Sequence, residues 1–555
     1  MNFSFSKFKW TSILVLFLLS NISKSQSKFS GDWEGVFMKD FRVIINLNSS
    51  DDKSFTGKIL MFSGSDQIQN DKISEIDLNG NNLTFLIKAK ETLFKGVFNE
   101  EVTELSGNFI FPDGSEHPLV VHKEAKVVQQ GIASEEKFIE LKNKKYPVEQ
   151  LKEDLNFLID KLKELHPQLY SYTSKESFED IWNKTNISIN SDLTLEEYFT
   201  LIAPVVEKVN CSHTGIRLPQ NYLQGVDEYG NFLPIKLSII NDKAYYLSNY
   251  CNTDQMISPG SEIVSINNYP IDDIITDLQK YIPSEGNNTT TKYNELNQNF
   301  NSYYYLYDNS KTYNVEFLSP DSGKKIISLS ACNFNDFVLD DKPGSDSPVE
   351  FKLDEENSIA FLKIRSFAFP DIKEYIQQMD QTFEFLKSKN IQNLVLDLRD
   401  NKGGHPIFAA QLFSYLTDKD FIYFKRNKDV KDFEPLYNTM QPNKLNFHGK
   451  VYVFINGGCL STTGHLISLI QYHTDAVFIG EDPGSSFYCN DHSIRVTLPN
   501  TGIEVNIPRT TFETATSGFS KEEPFSLDYK VNNSLKDVLN GVDIFNESLY
   551  KLIEK

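Results

Sequence analysis

The stretch LVLDLRDNKGGH, residues 394–405, decides the fold of the second half of the chain. Its continuous apolar run from Leu394 to Leu398 is typical of a strand buried on both faces, and a helix is predicted over residues 406–416. Paired glycines, Gly403 and Gly404, separate the two and leave backbone N–H groups uncovered near a helix N-terminus, where positive potential concentrates. We expect an anion site or an oxyanion hole at this turn. An ordinary tight turn is the alternative.

Strands and helices alternate on both sides of this stretch. Strands are predicted over residues 359–364, 451–455 and 476–479, and helices over residues 372–386 and 461–472. Continuous apolar strands that alternate with helices indicate an α/β core with a largely parallel sheet. We assign this core to residues 349–555 and expect its active site at the carboxyl ends of the strands.

The rest of the chain predicts a multidomain α+β protein. Residues 26–125 alternate apolar and polar positions between turn signals, which is typical of a small antiparallel β-barrel or sandwich. Residues 147–219 have helical periodicity, and strands return over residues 220–335. Polar segments over residues 126–146 and 336–348 are predicted to be linkers.

The N-terminal residues predict export. Lys7 and Lys9 precede the apolar run SILVLFLL, residues 12–19, which is too short to cross about 30 Å of hydrocarbon. We therefore interpret residues 1–25 as a cleaved signal peptide and expect a periplasmic or extracellular protein. The chain has five cysteines, so at least one thiol is expected to be unpaired in an oxidising compartment.

Composition excludes several classes of function. The 555 residues include 55 Lys and Arg against 76 Asp and Glu, a net charge of −21, which argues against a nucleic-acid partner. Beyond the signal peptide no run of 18 apolar residues occurs, so no stable membrane span is expected. The sequence shows no Cys-x-x-Cys pair, ligand cluster or dinucleotide loop, so neither a metal nor an organic cofactor is predicted.

A second turn with catalytic potential is FINGGCLSTTGH, residues 454–465. Ser461 lies where a predicted strand meets a helix, so its hydroxyl can lie beside the uncovered amide of Thr462; an ordinary helix N-cap is the alternative. A nucleophilic serine needs a base. The preferred candidate is His213, in NCSHTGIRL at residues 210–218, with His405 and His465 in reserve.

Three motifs together, DLRDNKGG, INGGCLSTTGH and CSHTGIRL, resemble the serine-peptidase family of C-terminal processing peptidases and the tricorn core protease. The phrase SPGSEIVSINNY, residues 258–269, is similar to a PDZ-like domain, with a plain β-turn-β as the alternative. The resemblance covers residues 147–548. It implies a Clp/crotonase-like α/β core and a serine endopeptidase that cleaves peptides or unfolded protein tails through an acyl-enzyme, with the PDZ-like domain docking the substrate.

The family has a Ser–Lys branch and a tricorn-like Ser/His branch, and this sequence resembles the second. The first lysine after Ser461 is Lys521, beyond the expected position, whereas the pair Ser212-His213 matches the tricorn-like motif. The resemblance implies that Ser461 is the nucleophile, that His213 is the general base, and that Ser212 links this histidine to a late glutamate. We assign the glutamate to Glu523, with Glu522 and Glu513 as alternatives, and the oxyanion hole to the amides of Gly403, Gly404 and Thr462.

Departures from the family pattern support an alternative function. Cys211 and Lys402 replace usual residues, and no acidic residue follows Ser461 closely. A catalytically inactive relative that binds peptides or other ligands is therefore the second hypothesis.

Overall fold

The computed structural model describes residues 27–37, 41–49, 55–63, 66–90, 92–112, 115–123, 135–251, 257–338, 347–426, 431–520 and 525–554. The chain divides into two compact units, residues 1–130 and 131–555. The predicted signal peptide, together with Glu522 and Glu523, lies outside the described residues. Within these ranges no helix is both long and apolar enough to span a bilayer.

The first unit contains a closed barrel of eight antiparallel strands, which confirms the predicted antiparallel β-module and shows that it is a barrel and not a sandwich. The strands are β1 (Gly31–Phe37), β2 (Phe41–Ser49), β3 (Phe55–Ser63), β4 (Asp66–Asn79), β5 (Asn82–Ile87), β6 (Thr92–Phe98), β7 (Glu104–Ile110) and β8 (Glu116–Lys123). Each strand pairs with the next, and β1 pairs with β8 to close the sheet. Because alternate residues of a barrel strand face inward, the aromatic side chains of Trp33, Phe85 and Phe94 are fully buried.

The second unit begins with helices that pack around one apolar core. They are α1 (Glu135–Asn143), α2 (Val148–Leu165), α3 (Lys175–Ser188), α4 (Leu195–Glu207) and α5 (Gln220–Tyr229). Helix α2 buries Leu151, Leu155 and Leu158, whose spacing places them on one face. Thr194 begins α4 with a capping box, in which its hydroxyl accepts from the Glu197 amide. Strands β9 (Lys145–Tyr146) and β10 (Leu193–Thr194) pair with each other, and β11 (Gly215–Arg217) follows α4.

An antiparallel sheet follows this helical segment. Its strands are β12 (Ile235–Ile240), β13 (Lys243–Asn249), β14 (Glu262–Ile266), β15 (Tyr269–Pro270), β16 (Thr312–Ser319) and β17 (Gly323–Ser330). The order is β12-β13-β14-β16-β17, with β15 paired to β14. Helices α6 (Ile271–Leu278) and α7 (Thr290–Tyr307) lie between β15 and β16 in the chain, and a disulfide joins Cys251 to Cys332.

The core of the second unit is a mixed sheet with helices, as the sequence predicted. Strands β18 (Val349–Asp354), β19 (Ile359–Ile364), β20 (Asn393–Asp397), β21 (Lys450–Ile455) and β22 (Val477–Gly480) lie side by side in that order. All but β18 run parallel. The helices that follow are α8 (Ile372–Ser388), α9 (Pro406–Ser414), α10 (Thr462–His473), α11 (Leu535–Asn540) and α12 (Ile544–Ile553).

Short strands near the C-terminus connect this core to the helical segment. They are β23 (Tyr488–Asp491), β24 (Ile494–Thr497), β25 (Glu504–Ile507), β26 (Thr510–Glu513) and β27 (Tyr529–Lys530). Strand β27 extends the core sheet beside β22, and β23 pairs with β26. Strand β25 pairs with both β24 and β11, so the chain just after residue 213 is held against the core.

The two turns that the sequence singled out meet at one edge of the sheet. Strands β20 and β21 are parallel neighbours, so their carboxyl ends lie together. The Leu460 amide donates to the Asn401 carbonyl at 3.0 Å, which joins the turn after β21 to the turn after β20. The fold thus places the 397–405 and 456–461 loops in contact.

Candidate active site

Ser461 immediately precedes helix α10 and has a backbone conformation that is unusual for serine. Its φ is 54° and its ψ is −125°, in the region that favours glycine. The residue is only 7% exposed. Its carbonyl accepts from the His465 amide at 3.3 Å, and the preceding Leu460 is fixed by Asn401. A strained residue between a strand and a helix is how α/β hydrolases present a nucleophilic hydroxyl.

His213 is held beside this hydroxyl by the pairing of β11 with β25. The Asn506 side chain on β25 donates to the His213 carbonyl at 2.8 Å. The His213 Nε2 atom then lies 3.1 Å from Ser461 Oγ, across 248 positions of sequence. In the described part of the chain, Ser461 Oγ forms its side-chain hydrogen bond with this histidine and with no lysine.

Ser212 and Glu285 extend the arrangement behind the imidazole. Ser212 Oγ lies 3.3 Å from His213 Nδ1 and donates to Glu285 Oε2 at 3.2 Å. The Ser212 amide donates to the same carboxylate oxygen at 3.3 Å. Burial raises the pKa of Glu285, and this effect is opposed by His213 and by hydrogen bonds from Ser212 and Tyr172. The result is a continuous chain of contacts from a buried carboxylate to the serine hydroxyl.

Glu285, the carboxylate that contacts Ser212, is a residue that sequence reasoning missed. The sequence assigned the acid to Glu523, which lies outside the described residues together with Glu522. The alternative Glu513 forms an ion pair with Lys425. Glu285 instead comes from the loop between α6 and α7, and it is tied to the histidine loop because the Gly286 amide donates to the Asn210 carbonyl at 2.9 Å. No spacing signal in the sequence pairs Glu285 with Ser212.

The paired glycines adjoin Ser461, but their amides differ in availability. The φ angles of Gly403 and Gly404 are 99° and 137°. A Cβ on Gly403 would lie 2.8 Å from Ser461 Cβ, and a Cβ on Gly404 would lie 2.3 Å from the backbone of Phe367, so both positions require glycine. The Gly403 amide already donates to Asn401 Oδ1 at 2.9 Å, which differs from its expected role as a free donor.

Two uncovered amides remain near the serine. Among the described residues, the N–H groups of Gly404 and Thr462 have no acceptor. The two residues are themselves linked, because the Thr462 hydroxyl donates to the Gly404 carbonyl. Thr462 is also the first residue of α10, where the amide N–H has no partner within the helix and the helix dipole favours negative charge. Of the three amides predicted to form an oxyanion hole, those of Gly404 and Thr462 are the two without an acceptor among the described residues.

His405 and His465, the alternative candidates for the base, have other contacts. His405 caps helix α9, and its Nδ1 accepts from the Ile407 amide at 3.2 Å. His465 lies inside α10 with its Nε2 3.3 Å from Cys489 Sγ, and burial lowers the pKa of His465 to about 3. His465 is therefore neutral at physiological pH. The imidazole that lies against Ser461 Oγ is instead that of His213.

Asp491 is a second residue that sequence reasoning missed. Its Oδ2 lies 3.6 Å from His213 Nε2, and its side chain is 40% exposed. The Asp491 carboxylate therefore lies near the same imidazole nitrogen that contacts Ser461 Oγ, and it is partly open to solvent.

Cys211, Cys459 and Cys489 are buried free thiols. Across the described residues no group of three or more His, Cys, Asp or Glu side chains is arranged to hold a metal ion.

Comparison with known proteins agrees with the motifs. Residues 358–523 match the model of peptidase family S41. Mature CPAF is similar in structure, with 12% identity over 73% of this chain and 96% of CPAF and a TM-score of 0.54. Mature CPAF complexed with lactacystin gives 12% identity, 73% and 98% coverage and a TM-score of 0.55. The two CPAF structures show a shared fold.

More distant comparisons add less. The photosystem II D1 C-terminal processing protease is 14% identical over 68% of this chain and 93% of that chain, with a TM-score of 0.36. No curated protein sequence matches the chain. The resemblance to the serine-peptidase family is nonetheless confirmed by the S41 match.

Proposed function

We propose that this chain, in which residues 358–523 match the model of peptidase family S41, is an exported serine endopeptidase that cleaves peptides or unfolded protein tails. The observation that carries the proposal is the 3.1 Å contact between His213 Nε2 and Ser461 Oγ. A base within hydrogen-bond reach of a hydroxyl is the geometry that activates a serine nucleophile. This contact favours the Ser/His mechanism over a Ser–Lys dyad.

The contacts behind His213 favour one arrangement of its protons. Ser212 donates its hydroxyl hydrogen to Glu285, so its oxygen is free to accept from His213 Nδ1. The Nε2 lone pair then faces the Ser461 hydroxyl. The carboxylate stabilises the imidazolium that forms when Nε2 takes the proton, acting through Ser212 rather than by direct contact. Glu285 and Ser212 are positioning residues in this scheme.

The reaction follows from these positions. Ser461 Oγ attacks the carbonyl carbon of the substrate peptide bond while His213 Nε2 takes the hydroxyl proton. The C–N bond of the tetrahedral intermediate breaks, the proton passes from Nε2 to the leaving amine, and an acyl-enzyme remains on Ser461. Water then attacks the ester with His213 again acting as base, which releases the carboxylic acid product and restores the serine.

The amides of Gly404 and Thr462 would stabilise the oxyanion. Neither N–H group has an acceptor among the described residues. Thr462 follows Ser461 in the chain, and its hydroxyl bonds the Gly404 carbonyl. Donors that are already oriented need no reorganisation in the transition state, and one such donor is typically worth about 10²–10³ in kcat. The N-terminus of α10 adds a favourable potential at the same point.

Export is supported by the cysteines as well as by the predicted signal peptide. A disulfide between Cys251 and Cys332 closes an 81-residue separation. Disulfides of this kind persist in oxidising compartments such as the periplasm or the extracellular space. The disulfide lies within the antiparallel sheet region, because strands β14–β17 fall between the two cysteines in sequence and β12 and β13 precede them. This sheet spans the residues predicted as a PDZ-like domain, and we assign substrate docking to it.

Covalent labelling tests the proposed function directly. A fluorophosphonate probe should label the purified protein, and Ser461→Ala should abolish labelling and peptide cleavage. Ser468→Ala is the matched control, because Ser468 is a buried serine on α10, the helix that Ser461 precedes, and its hydroxyl donates to the Gly464 carbonyl at 2.9 Å. Equal cleavage by wild type and Ser461→Ala would contradict the proposal and favour the inactive, ligand-binding alternative.

A further inference from the structure

Asp491 is the last residue of strand β23 and its backbone is fixed from both sides. It pairs with Thr510 on β26, and its carbonyl accepts from the Arg509 amide at 3.1 Å. The next residue, His492, has a φ of 56°, which turns the chain away immediately after Asp491. The strand therefore delivers this carboxylate to a defined place beside the catalytic histidine.

The Asp491 carboxylate has an unusual combination of position and charge. It lies 3.6 Å from His213 Nε2 yet keeps 40% of its side chain exposed. In the described part of the chain, no lysine or arginine forms an ion pair with it. The nearby Arg509 guanidinium donates instead to the His492 carbonyl at 3.2 Å, and Ser493 donates to Asp491 Oδ1 at 3.3 Å. A negative charge with an open side thus faces the cleavage site.

The chemistry of the site says which part of a substrate meets this charge. In the proposed reaction His213 Nε2 hands its proton to the leaving amine, so the first residue after the scissile bond must pass within hydrogen-bond reach of Nε2. Because Asp491 Oδ2 adjoins the same nitrogen, it adjoins that residue as well. The leaving side of the substrate therefore crosses a carboxylate that lacks a cationic partner of its own among the described lysines and arginines.

We propose that Asp491 is a specificity-determining residue that selects substrates with lysine or arginine at the first position after the scissile bond, P1′. The inference rests on the proposed function and adds the substrate class to it. An ammonium or guanidinium group at P1′ would complete an ion pair with Asp491, whereas a carboxylate there would be repelled. Since the carboxylate is partly exposed, water screens the pair, and we expect a preference of about threefold to tenfold in kcat/KM.

The test uses the full-length mature protein on reduced, alkylated serum albumin, with the new N-termini identified by mass spectrometry. Synthetic peptides built on one cleaved sequence, with Lys, Gln or Glu at P1′, then give kcat/KM. The variant is Asp491→Asn, which keeps the shape and removes the charge. Asp475→Asn is the matched control: Asp475 is 93% exposed and follows the far end of α10, a 12-residue helix about 18 Å long.

The outcomes separate three possibilities. The proposal expects kcat/KM to fall in the order Lys, then Gln, then Glu in wild type and in Asp475→Asn, and it expects similar kcat/KM for the three peptides in Asp491→Asn. A preserved order in Asp491→Asn would overturn it. A uniform loss on all three peptides would also overturn it, since Asp491 would then act on His213. Failure of the proposed function itself would show separately, as undiminished cleavage by Ser461→Ala.

Discussion

The barrel, residues 31–123, and the second unit, residues 131–555, bring their side chains together over very different distances in sequence. In the barrel each strand pairs with the next, and the interior is filled by aromatic side chains such as Trp33. In the second unit His213 meets Ser461 across 248 positions, and Ser212 meets Glu285 across 73. Local pairing builds a packed interior and distant pairing builds a polar site. Substitutions in the two regions should therefore differ in kind, with loss of stability in one and loss of chemistry in the other.

The largest effect on chemistry is expected from the serine and its base. Ser461→Ala and His213→Ala should each lower kcat/KM by about 10⁴–10⁶-fold, with no further loss in the double variant, because the two groups act as a unit. Thermal unfolding should stay near that of wild type. His448→Ala, at an exposed histidine, is the control. Additive losses in the double variant would show that the two side chains do not act on the same step.

Removal of one oxyanion donor should have the next largest effect. Thr462→Pro deletes the amide at the first position of α10, where proline is well tolerated in helices. We expect kcat to fall by about 10²–10³-fold. Thr462→Ala keeps the amide and loses only the hydroxyl, so it isolates the donor. If both variants lose activity equally while circular dichroism shows intact helices, the amide is not the oxyanion donor.

Glu285→Gln should lower activity and raise stability together. Loss of the charge behind Ser212 should reduce kcat by about 10–10²-fold, since the imidazolium loses its stabilising partner. Burial raises the pKa of Glu285 above its ordinary value, so the folded protein holds the carboxyl proton more tightly than the unfolded chain does. The free energy of unfolding therefore falls as pH rises from the pKa of the unfolded chain through the raised pKa of the folded protein.

The pH dependence checks the sign of this effect. At pH 7 the Gln variant should unfold at a higher temperature than wild type, and below about pH 4 the difference should vanish because the carboxyl is protonated in both states. Calorimetry at the two pH values measures it. A variant less stable than wild type at pH 7 would mean that the buried charge is fully compensated by its hydrogen bonds.

The smallest effect on chemistry is expected from the barrel. Trp33 is fully buried, and its Nε1 donates to the Phe29 carbonyl at 3.1 Å. Trp33→Ala should destabilise the barrel by about 3–5 kcal/mol, seen as faster proteolysis within residues 31–123, while kcat/KM for a short peptide stays unchanged. A parallel loss of peptidase activity would show that the two units are coupled more closely than their separate cores suggest.

The parts of the fold that sequence predicted well are those with local signals. The strand predicted over residues 394–398 is observed as Asn393–Asp397, and the helix predicted over 461–472 is Thr462–His473. Apolar runs and helical periodicity report on burial, which is a property of each segment alone. Alternation and turn residues predicted the antiparallel strands of the first unit in the same way, but they left a barrel and a sandwich as equal alternatives.

The parts of the site that sequence missed depend on packing between distant segments. Glu285 reaches Ser212 because the α6–α7 loop lies against the histidine loop, and Asp491 reaches His213 because β11 pairs with β25 on the neighbouring hairpin. Neither glutamate nor aspartate has a distinctive sequence context. The Gly403 amide was misjudged for a related reason, since its acceptor is the side chain of Asn401, which the glycine motif does not reveal.

The backbone at Ser461 has a consequence for how this activity is maintained. A serine at φ 54° and ψ −125° carries strain of roughly 1–3 kcal/mol, which glycine at the same position would relieve. A Ser461→Gly chain would thus fold at least as well as wild type and would pass any cellular quality control that senses unfolded protein. Because loss of the nucleophile would not impair folding, only selection on the proposed cleavage activity can keep serine at position 461.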